Sequence, residues 1–299
     1  MAETIRAMAS TVAFVGLGAM GSGMARVLVR KGFVVRGFDV RSEACARLRA
    51  DGGVACLSAA EAAVGTNVAI VIVLNADQAQ AAIFGPDGLA ESLPPSAVVV
   101  CMTTMSPART RALGERAQAA GLAWLDAPVS GGTHRAMEGS LTTMVGGEGA
   151  DLERARPVLD AFSQHIFHLG PVGAGSTTKM VNQILVYCNL AATVEAMTLC
   201  RKAGADPQAV YDVICTAMGT SAIFESRVPR LIDGSYQSGG SLRIALKDLA
   251  IVEETARELG MPMLMSSLTA QLFRATAATG MVDEDDLAVA RLVERLAGL

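Results

Sequence analysis

Between Gly173 and Gly204 the chain reads GAGSTTKMVNQILVYCNLAATVEAMTLCRKAG, with no proline and with apolar residues recurring at helical spacing. A helix over 173–203 is predicted. At about 1.5 Å per residue it spans roughly 40 Å, the width of a domain, so it can connect two domains and serve both. Ser176 or Thr177 is placed to cap its start, and Gly204 closes it. Lys179 is the one charged residue in its first turns, and Asn182, three residues on, shares its face. A lysine there either reaches solvent or works in a cleft.

Only four lysines occur: Lys31, Lys179, Lys202 and Lys247. Lys31 and Lys202 lie within two residues of a glycine at helix ends, where a cation favours the helix dipole. Lys179 and Lys247 have no such reason to be there. A surface lysine with its stem laid along apolar neighbours remains the other reading of Lys179.

A chain of 299 residues has room for two domains and a large core. It is 51% hydrophobic but only 4% aromatic, so that core is aliphatic. The mean hydropathy of +0.39 raises the question of a membrane. No run of 18 or more apolar residues is free of charge, so no spanning helix is expected, and the apolar surplus is assigned to buried helices and a subunit interface. A net charge of −4 and a pI near 5.5 argue against a nucleic-acid footprint. The six cysteines form no C-x-x-C pair and read as small buried hydrophobes in a reducing compartment. The opening MAETIRAMAS has no apolar core of a secretory signal and reads as a frayed leader, so a cytoplasmic location is expected. Of three histidines, His165 and His168 fall in HIFH, a short strand that would point them to opposite faces, so no metal site is expected. Acid–base chemistry then falls to another residue type.

The first half alternates strand and helix. Thr11 to Gly16 is a β-branched run, followed by Gly16-Leu17-Gly18-Ala19-Met20-Gly21 and an apolar helical pattern through Arg30. This is G-x-G-x-x-G with a strand before it and a helix after it, the context in which it binds a dinucleotide. Gly16 permits the tight turn, Gly18 lets a pyrophosphate approach the backbone, and Gly21 lets the helix pack closely. The helix start offers N–H groups to phosphate. A second strand, Phe33 to Phe38, ends in Asp39, eighteen residues after Gly21, where an acid binds the adenine ribose hydroxyls. A carboxylate there repels a 2′-phosphate and favours NAD. Arg41 could hold that phosphate, so NADP stays open.

Val68 to Leu74 is a continuous apolar strand with Asn75 at its C-terminal end, the ligand-binding edge of open α/β sheets. Ala97 to Met102 leads to Thr103 and Thr104 at the same edge, where ordinary loop hydroxyls are the alternative. Pro107 then opens a helix that Ser106 caps. Leu122 to Ala127 runs into Pro128-Val129-Ser130-Gly131-Gly132. A serine and two glycines there form a nest for a carboxylate, with Asp126 placed to orient the loop. His134 and Arg135 read as solvated. A strand at Leu141–Val145, a helix at Asp151–Phe162 and a strand at His165–Leu169 complete a domain of residues 1–172.

Residues 173–299 show no strand-like run. Pro207–Met218, Ile223–Asp233, Leu242–Gly260, Met263–Thr279 and Asp286–Leu296 read as helices separated by glycines. Lys247 stands in Leu246-Lys247-Asp248-Leu249 as part of an exposed charge pair or as a group delivered to a cleft.

Five blocks occur in order: GLGAMG (Gly16–Gly21), TTMSP (Thr103–Pro107), DAPVSGG (Asp126–Gly132), GAGSTTKMVNQ (Gly173–Gln183) and LKDL (Leu246–Leu249). With them the chain resembles the β-hydroxyacid dehydrogenase family over essentially its whole length. The resemblance implies an α/β Rossmann-type dinucleotide-binding domain followed by an all-α domain, joined by a long interdomain helix. It implies that Lys179 is the catalytic lysine and Asn182 its polar helper. Ser130, Gly131 and Gly132 would bind the substrate carboxylate, and Thr104 and Lys247 would contact the cofactor. SAIFESR at Ser221–Arg227 and DEDD at Asp283–Asp286 are most similar to threonate-type members, while Cys101-Met102 departs from the more polar pattern of many members. The implied chemistry is NAD-dependent oxidation of the alcohol of a small hydroxy acid, of 3-hydroxyisobutyrate or L-threonate type, in a homodimer or homotetramer. Lys179 would move the proton, which requires its pKa to fall from about 10.4. The alternatives are an NADPH-dependent semialdehyde reductase and a non-catalytic dinucleotide-binding protein. Neither nucleic acid nor membrane is an expected partner.

Overall fold

Alternate residues of β1 (Thr11–Val15) serve opposite faces of a sheet: Val12 and Phe14 enter one apolar cluster, Ala13 and Val15 the other. That period of two is what a strand buried on both sides requires. The computed structural model describes residues 11–237 and 239–299. The leader expected at residues 1–10 lies outside them.

From β1 the chain enters α1 (Ala19–Arg30), β2 (Val34–Phe38), α2 (Ser42–Ala50), β3 (Val54–Ala55), α3 (Ala59–Ala63), β4 (Val68–Val71), α4 (Ala76–Phe84), β5 (Val98–Cys101), α5 (Pro107–Ala119) and β6 (Ala123–Asp126). The strands are parallel in the order β3-β2-β1-β4-β5-β6. The order reverses between β1 and β4, so the loop after β1 opens at the switch point where such sheets bind ligands. β7 (Val129–Ser130), α6 (Gly132–Glu138), β8 (Leu141–Gly147), α7 (Gly149–Phe162) and β9 (Ser163–His168) follow. β8 runs antiparallel to β6 and β7 and parallel to β9. One face of the sheet packs on α1, α2 and α7 through residues such as Met24, Leu28, Leu48 and Phe162; the other packs on α3, α4 and α5 through Ala62, Ile83 and Leu113.

α2, β3 and α3 were not expected from the sequence. α2 is SEACARLRA, with only Ala44, Cys45 and Leu48 buried, and β3 is two residues long, too little for a periodic signal.

α8 (Ala174–Lys202) has 29 residues. Compact units divide inside it, the first ending at Lys179 and the second spanning Met180–Leu299, seven residues past the boundary expected at 172/173. The cap differs too. The Ser176 hydroxyl pairs with that of Thr110 at 2.8 Å, and the Thr177 hydroxyl donates to Gly173 O at 2.8 Å. Asp126 accepts the first-turn N–H groups instead, from 47 and 50 residues away. α8 is also long and apolar enough to cross a membrane by length and composition, with half of its most apolar window buried in the protein. The charge-free run that a spanning helix was expected to need is still missing from it, because Lys179 and Glu195 stand only 16 positions apart. The apolar content is spent on the second core, where Tyr187, Leu190, Val194 and Met197 are buried.

In the second unit α9 (Pro207–Ile214), α10 (Ala222–Ile232), α11 (Leu242–Glu258), α12 (Leu264–Thr276) and α13 (Val289–Leu296) pack with α8 through Phe224, Leu249, Phe273 and Val289. No strand occurs among its described residues, as expected. α12 stops three residues short of expectation. A π turn with Gly280 at φ 94° follows it.

Gly16 has φ 98°, and a Cβ there would lie 2.0 Å from Ile72 O on β4's extension. Gly16→Ala is expected to destabilise the first unit by about 3 kcal/mol, read as a lower urea midpoint at unchanged slope.

Candidate active site

The glycine loop begins where β1 stops. The Gly16 N–H donates to Phe38 O at 2.9 Å, tying the turn to β2. A Cβ on Gly21 would stand 1.9 Å from Gly16 O, so only glycine lets α1 start this close to the strand. Gly18 is different: a Cβ there would meet only Arg41 Nη2, at 3.5 Å. The space over Gly18 is open, and α1 has no side-chain cap on its first N–H groups, next to Ala19 and Met20. An open approach over uncapped helix N–H groups fits a pyrophosphate. Gly16 and Gly21 are thus required by the backbone itself, and Gly18 leaves open space above the loop.

Asp39, at the end of β2, is tied to this loop. Its Oδ2 accepts the Leu17 N–H at 2.7 Å, and its Oδ1 accepts the Arg41 N–H at 2.9 Å. The Arg41 side chain adds Nε to Oδ1 at 3.1 Å and Nη2 to Oδ2 at 3.3 Å. Burial pushes this carboxyl up. The Arg41 guanidinium and the N–H groups of Arg41 and Leu17 outweigh that and hold it below the usual aspartate range. Arg41 therefore lies clamped on Asp39, a bidentate pairing that sequence spacing left open. The Leu17 link was missed; the offset of 22 residues carried no signal for it.

At the same sheet edge, Asn75 is the N-cap of α4, its Oδ1 accepting the Gln78 N–H at 2.9 Å. Thr103 is buried and accepts the Val73 N–H at 3.0 Å. Both oxygens are committed to local structure, whereas Thr104 is half-buried.

β6 ends at Asp126, which is 2% exposed. Its Oδ1 accepts the Gly173 N–H at 2.8 Å and its Oδ2 the Ser176 N–H at 2.7 Å. Burial raises its pKa, and those two N–H groups, with the Ser176 hydroxyl, oppose the rise. Four residues on, Ser130 closes β7 opposite Thr142. Gly131 and Gly132 follow at φ 137° and 70°, both exposed. Both glycines thus hold left-handed backbone at the exposed end of β7. Lys179, one helical turn beyond Ser176, is 8% exposed, which removes the surface reading of that side chain.

In the second unit a polar network runs through an apolar core. Asn182 Nδ2 donates to Gln183 Oε1 at 2.9 Å. Gln183 Nε2 donates to Asp248 Oδ2 at 2.5 Å, and the Tyr187 hydroxyl reaches the same oxygen at 3.1 Å. Lys247 Nζ lies 2.7 Å from Asp248 Oδ1. Burial, then the negative charges of Asp248 and Asp286, push the Tyr187 phenol well above its ordinary value, with Arg227 easing the rise. Tyr187 is therefore a fixed donor. Lys247 belongs to an ion pair, as its neighbour suggested, but with a buried carboxylate. Gln183, Tyr187 and Asp248 were missed as site residues; Gln183 and Tyr187 at i, i+4 were the available signal.

His134 is exposed and pairs with Glu138 at 3.2 Å. All six cysteines are free, and complete burial pushes the Cys101 thiol up to about 12, an inert side chain. No cluster of three His, Cys, Asp or Glu able to hold a metal occurs among the described residues.

Two family models match the chain. The NAD binding domain of 6-phosphogluconate dehydrogenase covers residues 11–170, and the NAD-binding model of NADP-dependent 3-hydroxyisobutyrate dehydrogenase covers residues 173–293. L-threonate dehydrogenase of Cupriavidus necator is 40% identical over 95% of this chain and 96% of its own. Among solved structures, 3-hydroxyisobutyrate dehydrogenase from Salmonella typhimurium is 37% identical with a TM-score of 0.86, over 94% of this chain and 99% of its own. Mycobacterium tuberculosis 3-hydroxyisobutyrate dehydrogenase, solved with L-serine, is 31% identical with a TM-score of 0.86, over 96% and 99%.

Tyr187→Phe deletes a buried donor to Asp248 and is expected to cost about 1–2 kcal/mol of stability, measured by thermal unfolding at neutral pH.

Proposed function

The chain belongs to the β-hydroxyacid dehydrogenase family, and from that premise we propose that it oxidises the alcohol carbon of a small hydroxy acid of L-threonate type, with Lys179 taking the hydroxyl proton. It is an NAD-binding oxidoreductase acting on CH–OH groups; substrate and residue roles are the proposal. The observation that carries it is the burial of Lys179, a residue otherwise expected at the surface, one turn along a helix anchored beside the Ser130 loop.

In this reading Ser130 and the N–H groups of Gly131 and Gly132 hold the substrate carboxylate. Gly16, Leu17, Gly18, Ala19, Met20 and Gly21 receive the pyrophosphate, Asp39 the adenine ribose, and Asn75, Thr104 and Lys247 line the remaining cofactor contacts. Bound NAD supplies the hydride acceptor. As the C–H hydride leaves the substrate, the O–H bond breaks and its proton passes to the neutral Lys179 amine, leaving a carbonyl and an ammonium. Asn182, on the same face of α8, orients the hydroxyl. The name of the Cupriavidus necator relative supports threonate as the first substrate to assay. The pairing of Arg41 on Asp39 supports NAD over NADP, because it holds the arginine that could take a 2′-phosphate against a carboxylate that would repel one.

Exposed apolar residues support a homo-oligomer: Val181 and Leu185 on α8, and Leu264, Met265 and Leu268 on α12. Light scattering on the purified chain tests that part directly.

Lys179→Ala is expected to lower kcat for threonate by roughly 10²–10⁴-fold while NAD affinity stays near wild type. The assay is NAD reduction on threonate, 3-hydroxyisobutyrate, glycerate and 4-hydroxybutyrate. Full turnover by the variant would remove the lysine role, and wild-type silence across the panel would favour a dinucleotide-binding protein. In the same assay, Asp39→Ser is expected to shift the NAD/NADP ratio of kcat/KM toward NADP by about tenfold or more, the loss of one carboxylate beside a 2′-phosphate.

A further inference from the structure

A helix that needs only a stable start can take its cap from the residue just before it, as α3 does from Ser58 and α10 from Ser221. α8 does not. Its capping position is a glycine, Gly173 at φ 98°, which has no side chain to offer. The acceptor is brought from β6 across 47 residues of sequence, and it is a buried carboxylate whose desolvation works against it. A Cβ on Gly146 would stand 2.5 Å from Asp126 Oδ1 and 2.9 Å from Gly175 N. A Cβ on Gly175 would stand 2.4 Å from Met144 O and 2.6 Å from Asp126 O. Two glycines are thus needed to press the start of α8 onto this one side chain. Stability alone asks for none of this; a fixed position does.

Two segments leave the same residue. Forward along the chain, Ala127 N–H donates to Cys101 O at 2.8 Å, Pro128 O accepts the Met144 N–H at 3.0 Å, and β7 pairs Ser130 with Thr142. No freely rotating stretch separates Asp126 from the Ser130 loop. Through its carboxylate, Asp126 holds the N–H of Ser176, and Lys179 is one turn further on the same helical face.

We infer that Asp126 is a positioning residue that sets the register between the Ser130–Gly132 loop and Lys179, so that a carboxylate held by the one places its hydroxyl at the other. This rests on the roles proposed above for those residues. A general base must stand within hydrogen-bond reach of its proton, and a displacement near 1 Å can cost about 100-fold in rate. Asp126 touches no reacting atom; it acts through the backbone N–H groups it fixes.

The test is Asp126→Asn in the full chain, with Lys179→Ala and Ser176→Ala alongside. An amide at 126 turns a donor toward one of the two N–H groups. The expected result is a kcat lower by roughly 10- to 100-fold together with a KM for the hydroxy acid raised severalfold, at an NAD dissociation constant within about twofold of wild type. NAD-binding stoichiometry counts folded sites. A role in folding alone would lower kcat only in proportion to that count and leave KM unmoved, which overturns the inference; so does Asp126→Asn with wild-type kcat and KM. Ser176→Ala keeps both gripped N–H groups and removes only a hydroxyl that also bears on Asp126, so it is expected to lower kcat less than Asp126→Asn does. If Lys179→Ala keeps full kcat, it is the functional reading that fails, and Asp126 then has nothing to register. Should Asp126→Asn yield no folded protein, amide hydrogen exchange on the wild type decides. The Gly173 and Ser176 amides are expected among the slowest of the first unit, and exchange at the rate of exposed loops overturns the inference.

Discussion

A single buried carboxylate takes both of its hydrogen bonds from the first turn of the longest helix. The start of a helix leaves N–H groups without intrahelical partners and carries partial positive charge, so an anion there is favoured twice. Asp126 supplies that anion from the end of β6, and each charge-assisted bond is worth about 1.5–3 kcal/mol against the desolvation it suffers. β6 itself is placed by the parallel register with β5, and its continuation through Pro128 by β8. The sheet, the Ser130 loop and the first turns of α8 are therefore built outward from one residue.

Further along α8, inside the second unit, another buried carboxylate performs a related task by different means. Asp248 is satisfied by side chains: Gln183 and Tyr187 from α8 and Lys247 beside it. Such a network holds only while all its members are present, because removing one leaves a buried charge short of partners. Asn182 is linked to it through Gln183. One helix thus carries two residues proposed for the chemistry, Lys179 and Asn182, and each lies within a few residues of a carboxylate-held anchor.

What could be read in advance follows from how local each signal is. The strands at β1, β4 and β5, the glycine turn between β1 and α1 and the helix over 173–203 are local patterns of period 2 or 3.6 or fixed spacings, and these elements are present in the structure. The burial of Lys179 was half legible: its rarity flagged it, but burial depends on what packs against the helix. Asp126 was placed as a loop-orienting residue, and the cap was assigned to Ser176 or Thr177, because a capping rule searches the adjacent residues and this acceptor lies 47 residues back. The sequence leaves Lys247 and Asp248 open between an exposed charge pair and a cleft for the same reason; the donors to Asp248 come from α8, 61 and 65 residues away. Short, polar α2 and two-residue β3 carry too few apolar positions to announce themselves.

The most direct measurement is a crystal structure of this chain with NAD and a non-reacting analogue of its hydroxy acid bound together. The expected result has Lys179 Nζ about 3 Å from the oxygen that would lose its proton, and the ligand carboxylate on Ser130 and the N–H groups of Gly131 and Gly132. A Lys179 amine turned to bulk water, with the carboxylate seated away from that loop, would contradict it.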